Sequence, residues 1–159
     1  MFLQRLHKSC RDSAGFTLAE VMTALVVIAI MSAIAVPSFM SFQPGMRLNG
    51  GAREVLGKLS WARAQAVEDN TRFVVSFPSS STMLIYNDAN ANSSLDTGEW
   101  SQTIDIQLNY HDVTIAVSGT TPTFNSRGTA ESGTTNITVT NPSGSKTVRV
   151  LATGSVRIL

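Results

Sequence analysis

Residues 15–40 read GFTLAEVMTALVVIAIMSAIAVPSFM, and this stretch decides how the rest of the chain is read. From Leu18 to Met40 the only charged side chain is Glu20. At 1.5 Å per residue a helix over this run is about 34 Å long, enough for a hydrocarbon core of roughly 30 Å. The run therefore predicts one membrane-spanning helix. Before it, residues 1–15 carry Arg5, Lys8 and Arg11 against Asp12 alone, a bias that keeps the N-terminus cytoplasmic and sends the following residues across the membrane.

The order of these parts differs from an ordinary secretory signal, in which the apolar region precedes the cleavage site and leaves with the leader. Here the small pair Ala14-Gly15 precedes the apolar run, so cutting there would leave the membrane segment on the mature chain. Glu20 needs its own account, because a carboxylate in an apolar helix costs about 2.5–3.5 kcal/mol on insertion scales and usually faces a partner. Two readings stand at this point: a Glu near enough to the helix start to reach the interface and the positive end of the dipole, or a Glu with a charged partner on another chain.

The segment Gly15-Phe16-Thr17-Leu18-x-Glu20, with a basic leader before it, an apolar run after it and a proline at Pro37, resembles the type IV pilin family. The resemblance implies that a prepilin peptidase cuts after Gly15 and methylates the amine of Phe16. It implies that Glu20 pairs with that amine on a neighbouring subunit during assembly. The expected partners are other pilins or pseudopilins, the peptidase, an inner-membrane assembly platform and membrane lipid. The expected location is the bacterial inner membrane, single-pass, with a periplasmic C-terminal domain. An ordinary membrane-anchored domain, the reading outside assembly, predicts no cleavage at Gly15 and leaves Glu20 unpartnered.

The leader holds three of the 12 basic and one of the 11 acidic residues, leaving 9 and 10 on the mature chain, which is close to neutral. The single cysteine, Cys10, lies in the leader, so the mature chain has no disulfide to report its redox compartment. Beyond the apolar run, Gln43-Pro44-Gly45 interrupts the pattern. A second helix is expected from about Met46 to Asp69, with Leu48, Ala52, Val55, Leu56, Leu59, Ala62 and Ala66 as an apolar stripe and Arg53, Lys58 and Arg63 opposite. The stripe suits packing on a sheet or on a partner helix. Asn49-Gly50-Gly51 predicts a bend or local melting.

From Arg72 the pattern changes to short β-forming runs: Arg72–Phe77 and Met83–Tyr86 as a hairpin around Pro78, then Thr103–Leu108, Val113–Val117, Asn136–Thr140, Thr147–Leu151 and Ser155–Ile158. The predicted class is α+β: a long N-terminal helix, membrane-spanning in one half and amphipathic in the other, packed on an antiparallel β-sheet domain. This is the type IV pilin-like fold that the resemblance implies. The expected division is a leader over 1–15, a transmembrane and assembly helix over 16–42, an amphipathic helix over 43–70 and a β-rich head over 71–159.

Trp61-Ala62-Arg63-Ala64-Gln65-Ala66 leading into a strand, Asn125-Ser126-Arg127-Gly128, and the tail Gly154-Ser155-Val156-Arg157-Ile158 are similar to minor pilins of the FimT/FimU type and to type II secretion pseudopilin H. That likeness implies a low-copy structural subunit near a filament tip, in a type IV pilus or a type II secretion pseudopilus. It also raises DNA binding, which in FimT-type pilins goes with a Gly-Arg-x-Arg tail. Gly154-Ser155-Val156-Arg157 lacks the first arginine of that pattern. The candidate DNA contacts are Arg127, Lys146, Arg149 and Arg157, set against Glu131 alone in the last third of the chain.

The segment from Asp88 to Glu99 places oxygen-bearing side chains at alternate positions, Asp88, Asn90, Asn92 and Asp96, with Glu99 at the twelfth. This suits a hard cation such as calcium, but Ser93 stands where an EF-hand has glycine, and Asn/Asp/Ser is also ordinary turn chemistry. No other cofactor is expected. An enzyme is not expected either: past the leader His111 is the one histidine, there is no cysteine, and no Gly-x-Ser-x-Gly elbow or phosphate-cradling glycine loop occurs.

Overall fold

The computed structural model describes residues 15–159, so the expectations for Arg5, Lys8, Cys10, Arg11 and Asp12 lie outside the described residues. Two compact units are distinguished, one ending at Phe39 and one over Met40–Leu159. One helix, α1, runs over Leu18–Glu68. In the first unit every described residue of it is exposed, including Leu25, Ile28 and Ile34.

The expected break between two helices is corrected: α1 continues through Pro44 and through Asn49-Gly50-Gly51. Proline removes one backbone donor and costs roughly 3 kcal/mol in a helix interior. Around Pro44 the helix gains side-chain ties of its own. Asn141 Nδ2 donates to the Pro44 carbonyl at 2.7 Å, and Asn49 Nδ2 donates to that of Gly45 at 2.9 Å. Arg47 makes a two-pronged pair with Asp112, both N···O distances being 2.8 Å. The guanidinium holds the Asp112 carboxyl below its usual range. The glycine pair is a packing device rather than a weak point. A Cβ at Gly50 would meet the Tyr110 ring, 2.8 Å from its Cζ, and one at Gly51 would come 3.1 Å from Val113.

The amphipathic stripe is as expected: Leu48, Ala52, Val55, Leu59, Ala62 and Ala66 are buried, joined by Gly51, with Leu56 partly covered. The helix stops where Asn70 takes a left-handed φ of 51°. Thr71 N–H then donates to the Ala66 carbonyl and Asn70 N–H to that of Val67, the two bonds of a Schellman cap.

Eight strands follow: β1 Arg72–Ser76, β2 Thr82–Asp88, β3 Ser101–Asp105, β4 Thr114–Ser118, β5 Thr123–Phe124, β6 Thr135–Asn141, β7 Gly144–Val150 and β8 Val156–Ile158. They form two four-stranded antiparallel sheets rather than one, in the orders β3-β2-β1-β5 and β4-β6-β7-β8. The hairpin around Pro78 is present, with Val75 opposite Ile85. The run Thr103–Leu108 does not stay extended. Asp105 accepts from Gln107 N–H and starts a 3-10 turn over Ile106–Leu108. Phe73, Val75, Met83 and Ile85 from one sheet and Ile137, Val139, Val148 and Val150 from the other share a single core with the helix stripe.

Two close approaches fix the C-terminal turns against the helix. Arg63 Nε donates to the Gly128 carbonyl at 2.8 Å. Gly154, at φ +81°, lies so close that a Cβ there would collide with the Gly128 carbonyl oxygen. Gly154→Ala should therefore cost on the order of 2–4 kcal/mol. Gly133, at φ +77° with nothing within 4 Å of a Cβ, is the control, and Gly133→Ala should cost only about 1–2 kcal/mol of left-handed strain. Urea unfolding of the two variants checks this; equal losses would mean that the contact with Gly128 adds nothing.

Candidate functional site

The first candidate site is the start of α1. Thr17 precedes the helix, and its Oγ1 accepts from the Glu20 backbone N–H at 3.2 Å. Thr17-Leu18-Ala19-Glu20 thus has the spacing of a capping box, with the carboxylate in the first turn, where the helix dipole favours negative charge. The sequence signal for this role of Thr17 is the T-x-x-E spacing. Phe16 is 83% exposed and Leu18 81%, so the apolar side chains around Glu20 have no cover from this chain. The helix is long and apolar enough to cross a membrane.

The four candidate DNA contacts do not form one patch. Arg149 on β7 lies directly opposite Arg157 on β8. Lys146 pairs with buried Val139 and, by strand alternation, stands on the other face from Arg149. Arg127 is an exposed residue of the turn after β5, beside a cleft also lined by Asn70 and Ala89. Arg149 Nε donates to Asn136 Oδ1 at 2.9 Å. The strands of that sheet contain Lys146, Arg149 and Arg157 and no Asp or Glu.

The Asp88–Glu99 loop folds on its own donors. Asp88 closes β2 and is buried, and its two oxygens accept from the N–H groups of Asn92 and Ser93, each at 3.0 Å. Asp96 Oδ2 accepts from the carboxamides of Asn90 at 2.7 Å and Asn92 at 2.6 Å, and these bonds pull its carboxyl below the usual range. Glu99 accepts from the N–H groups of Ala89 and Asp96. Among the described residues no three His, Cys, Asp or Glu side chains converge as a metal site.

Arg72, which sequence reasoning treated only as the start of a strand, ties this loop to the sheet. It donates to the Ala91 carbonyl and Ser93 Oγ, and pairs with Asp88 at 3.5 Å and with Glu131 at 3.2 Å. Tyr86 Oη donates to the Ser93 carbonyl, and burial pushes its pKa up. Asp88 was counted as a loop ligand; a buried carboxylate also requires a nearby cation, and Arg72 at the mouth of β1 is that signal.

The family model described as Type II transport protein GspH matches residues 51–154. The chain belongs to the GspH family. A second model, the prokaryotic N-terminal methylation motif, matches residues 10–36, across Gly15, Phe16 and Glu20. Among solved structures the chain resembles the type IV minor pilin FimU of Pseudomonas aeruginosa, with TM-score 0.59 and 15% identity over 74% of this chain and 92% of that one. It also resembles the minor pseudopilin EpsH of the Vibrio cholerae type 2 secretion system, with TM-score 0.51 and 13% identity over 71% of this chain and 96% of that one. At these identities the likeness shows the fold. No curated protein matches the chain. This GspH-family chain thus joins an N-terminal methylation motif to a pilin-like α+β fold.

The Asp88–Glu99 loop is already closed by its own N–H to carboxylate hydrogen bonds, so its stability is expected not to depend on calcium. Thermal unfolding of the full chain should move by less than about 1 °C between chelator and millimolar calcium, since a ligand stabilises only by binding the native state. A rise of several degrees, removed by Glu99→Gln, would make the loop a cation site.

Proposed function

We propose that the chain is made as a precursor, cut after Gly15 by a prepilin peptidase that also methylates the Phe16 amine, and then drawn from the inner membrane into a filament. The observation that carries this is the coincidence of the methylation motif with an uncovered apolar run, Leu18–Met40, whose only charged residue is Glu20. In the membrane the helix is covered by lipid; in the filament the same side chains are covered by other pilin helices. The basic leader places the N-terminus in the cytoplasm and the head in the periplasm. Head-to-tail contacts that do not close produce a helical filament, here a type II secretion pseudopilus or a type IV pilus. A low-copy subunit of this kind sits near the tip.

Glu20 supplies the partner for the Phe16 amine of the neighbouring subunit, and Thr17 holds the helix start in register for it. A buried, charge-assisted pair is lost outright when one member is removed. Glu20→Ala should leave insertion and cleavage intact while filament incorporation, read by immunoblot of sheared filaments, falls at least tenfold. Normal incorporation would overturn the pairing. In the same host, loss of enzyme export on deleting the gene assigns the pseudopilus and loss of twitching assigns the pilus.

One observation favours a second reading, DNA contact during uptake. Arg149 and Arg157 stand directly opposite, where like charges repel, on strands without a carboxylate to offset them. A phosphate between the two would relieve that repulsion. The full chain should shift labelled duplex DNA at low salt and release it as salt rises, and Arg149→Ala with Arg157→Ala should abolish the shift. No shift at low salt, or a shift indifferent to the two substitutions, ends this reading.

A further inference from the structure

The last strand leaves one edge of its sheet open. β8 pairs only with β7, in the register Val148↔Ile158, Arg149↔Arg157 and Val150↔Val156. Leu151 N–H donates to the Ser155 carbonyl and Leu159 N–H to that of Thr147, so Arg157, midway between, is the residue of β8 that exchanges bonds with β7. The N–H and C=O groups of Val156 and Ile158 therefore point away from β7, and no described residue bonds to them. The other edges are closed or carry no charge. On β4 the Ile115 N–H donates to the Ser80 carbonyl at 2.6 Å, and on β5 the Thr123 carbonyl accepts from Glu131 N–H at 2.9 Å. β3 is an edge too, but its exposed residues Ser101, Gln102 and Thr103 are uncharged.

Space for a further strand lies beside β8. A cleft of about 490 Å³ runs between its start and α1, lined by Ser60, Arg63, Ala64 and Val67 on the helix and by Ser155 and Val156 on the strand side. Val67 is 50% exposed in its wall. Val156 and Ile158 turn toward the core, whereas Arg157 stands on the outer face directly opposite Arg149. Neither the strands of this sheet nor the lining of the cleft holds a carboxylate.

We propose that the β8 edge takes up an extended segment of another protein, added antiparallel, with a Glu or Asp opposite Arg157 and a small apolar residue on either side of it. Strand addition satisfies the free backbone groups of Val156 and Ile158, which gives affinity without regard to sequence. Selection comes from the side chains. The residue opposite Arg157 falls in a pair without mutual hydrogen bonds, where side chains lie closest, and a carboxylate there offsets the repulsion between Arg149 and Arg157. Its two neighbours point toward the cleft, where Ala64 and Val67 leave room for small apolar groups. A second copy of β8 is a poor occupant, because it would bring two more arginines into the same row. Duplex DNA would meet the arginines through phosphate but would leave the backbone groups of Val156 and Ile158 without strand partners.

The full chain in detergent micelles is titrated with the labelled, end-capped peptide Thr-Val-Glu-Val-Thr, read by fluorescence anisotropy, while amide exchange at Val156 and Ile158 is followed in parallel. Saturable binding below about 5 mM, with slowed exchange at both amides, is the expected result. The same peptide with both valines N-methylated lacks the donors that face the Val156 and Ile158 carbonyls and should not bind. Replacing its Glu by Lys should weaken binding about tenfold, and Arg157→Glu, a substitution at an exposed position, should reverse that preference. A reversal also shows that the variant head is folded. No saturable binding, equal binding of the N-methylated peptide, or no preference of the unaltered chain for Glu over Lys overturns the proposal. So does slowed exchange at the two amides that grows with protein concentration in the absence of peptide, which would make the occupant a second copy.

Discussion

Everything in this chain follows from one helix that must satisfy two solvents. Up to Phe39 its side chains, with Glu20 the one charge, are mostly apolar and uncovered; from Leu48 onward only one stripe is apolar, and that stripe is buried. Removing apolar area from water is worth about 25 cal/mol per Å², so a run of exposed Val, Ile, Leu and Met cannot remain in water. The head contributes the core that anchors the second stretch, and lipid or other helices must supply cover for the first. The methylation motif, over residues 10–36, falls on this uncovered run.

The head is held to the amphipathic stretch by a few long-range polar ties rather than by strand pairing. Arg47 with Asp112, Asn141 with the Pro44 carbonyl and Arg63 with the Gly128 carbonyl each join residues 65 or more apart in sequence. The last of these explains three separate sequence features together. Arg63 on the helix, Gly128 in the turn after β5 and Gly154 before β8 meet at one point, where only glycines leave room for the approach.

Much of this was legible beforehand. The apolar run, the stripe from Leu48 to Ala66, the hairpin at Pro78 and the α+β class all rest on periodicity and turn chemistry, which are local. What was not legible depends on distant partners. Pro44 and Gly50-Gly51 read as helix breakers because the residues that meet them, Asn141, Tyr110 and Val113, lie far along the chain. β5, with two residues, is too short to show a pattern although Phe124 is fully buried. The division into two sheets is a matter of pairing order, which alternation within each strand does not encode. At the candidate sites, charge counting found four basic residues, but strand register separates Lys146 from Arg149. Trp61 packs on Trp100 across 39 positions, a distance at which neither residue announces the other.

The central claim is that residues from Phe16 onward form a processed, assembling subunit. Mass spectrometry of the protein recovered from its host's membrane tests this most directly. The account predicts a chain that begins at N-methylated Phe16. A chain that still begins at Met1 in cells with an active prepilin peptidase would contradict it and leave the helix a plain anchor.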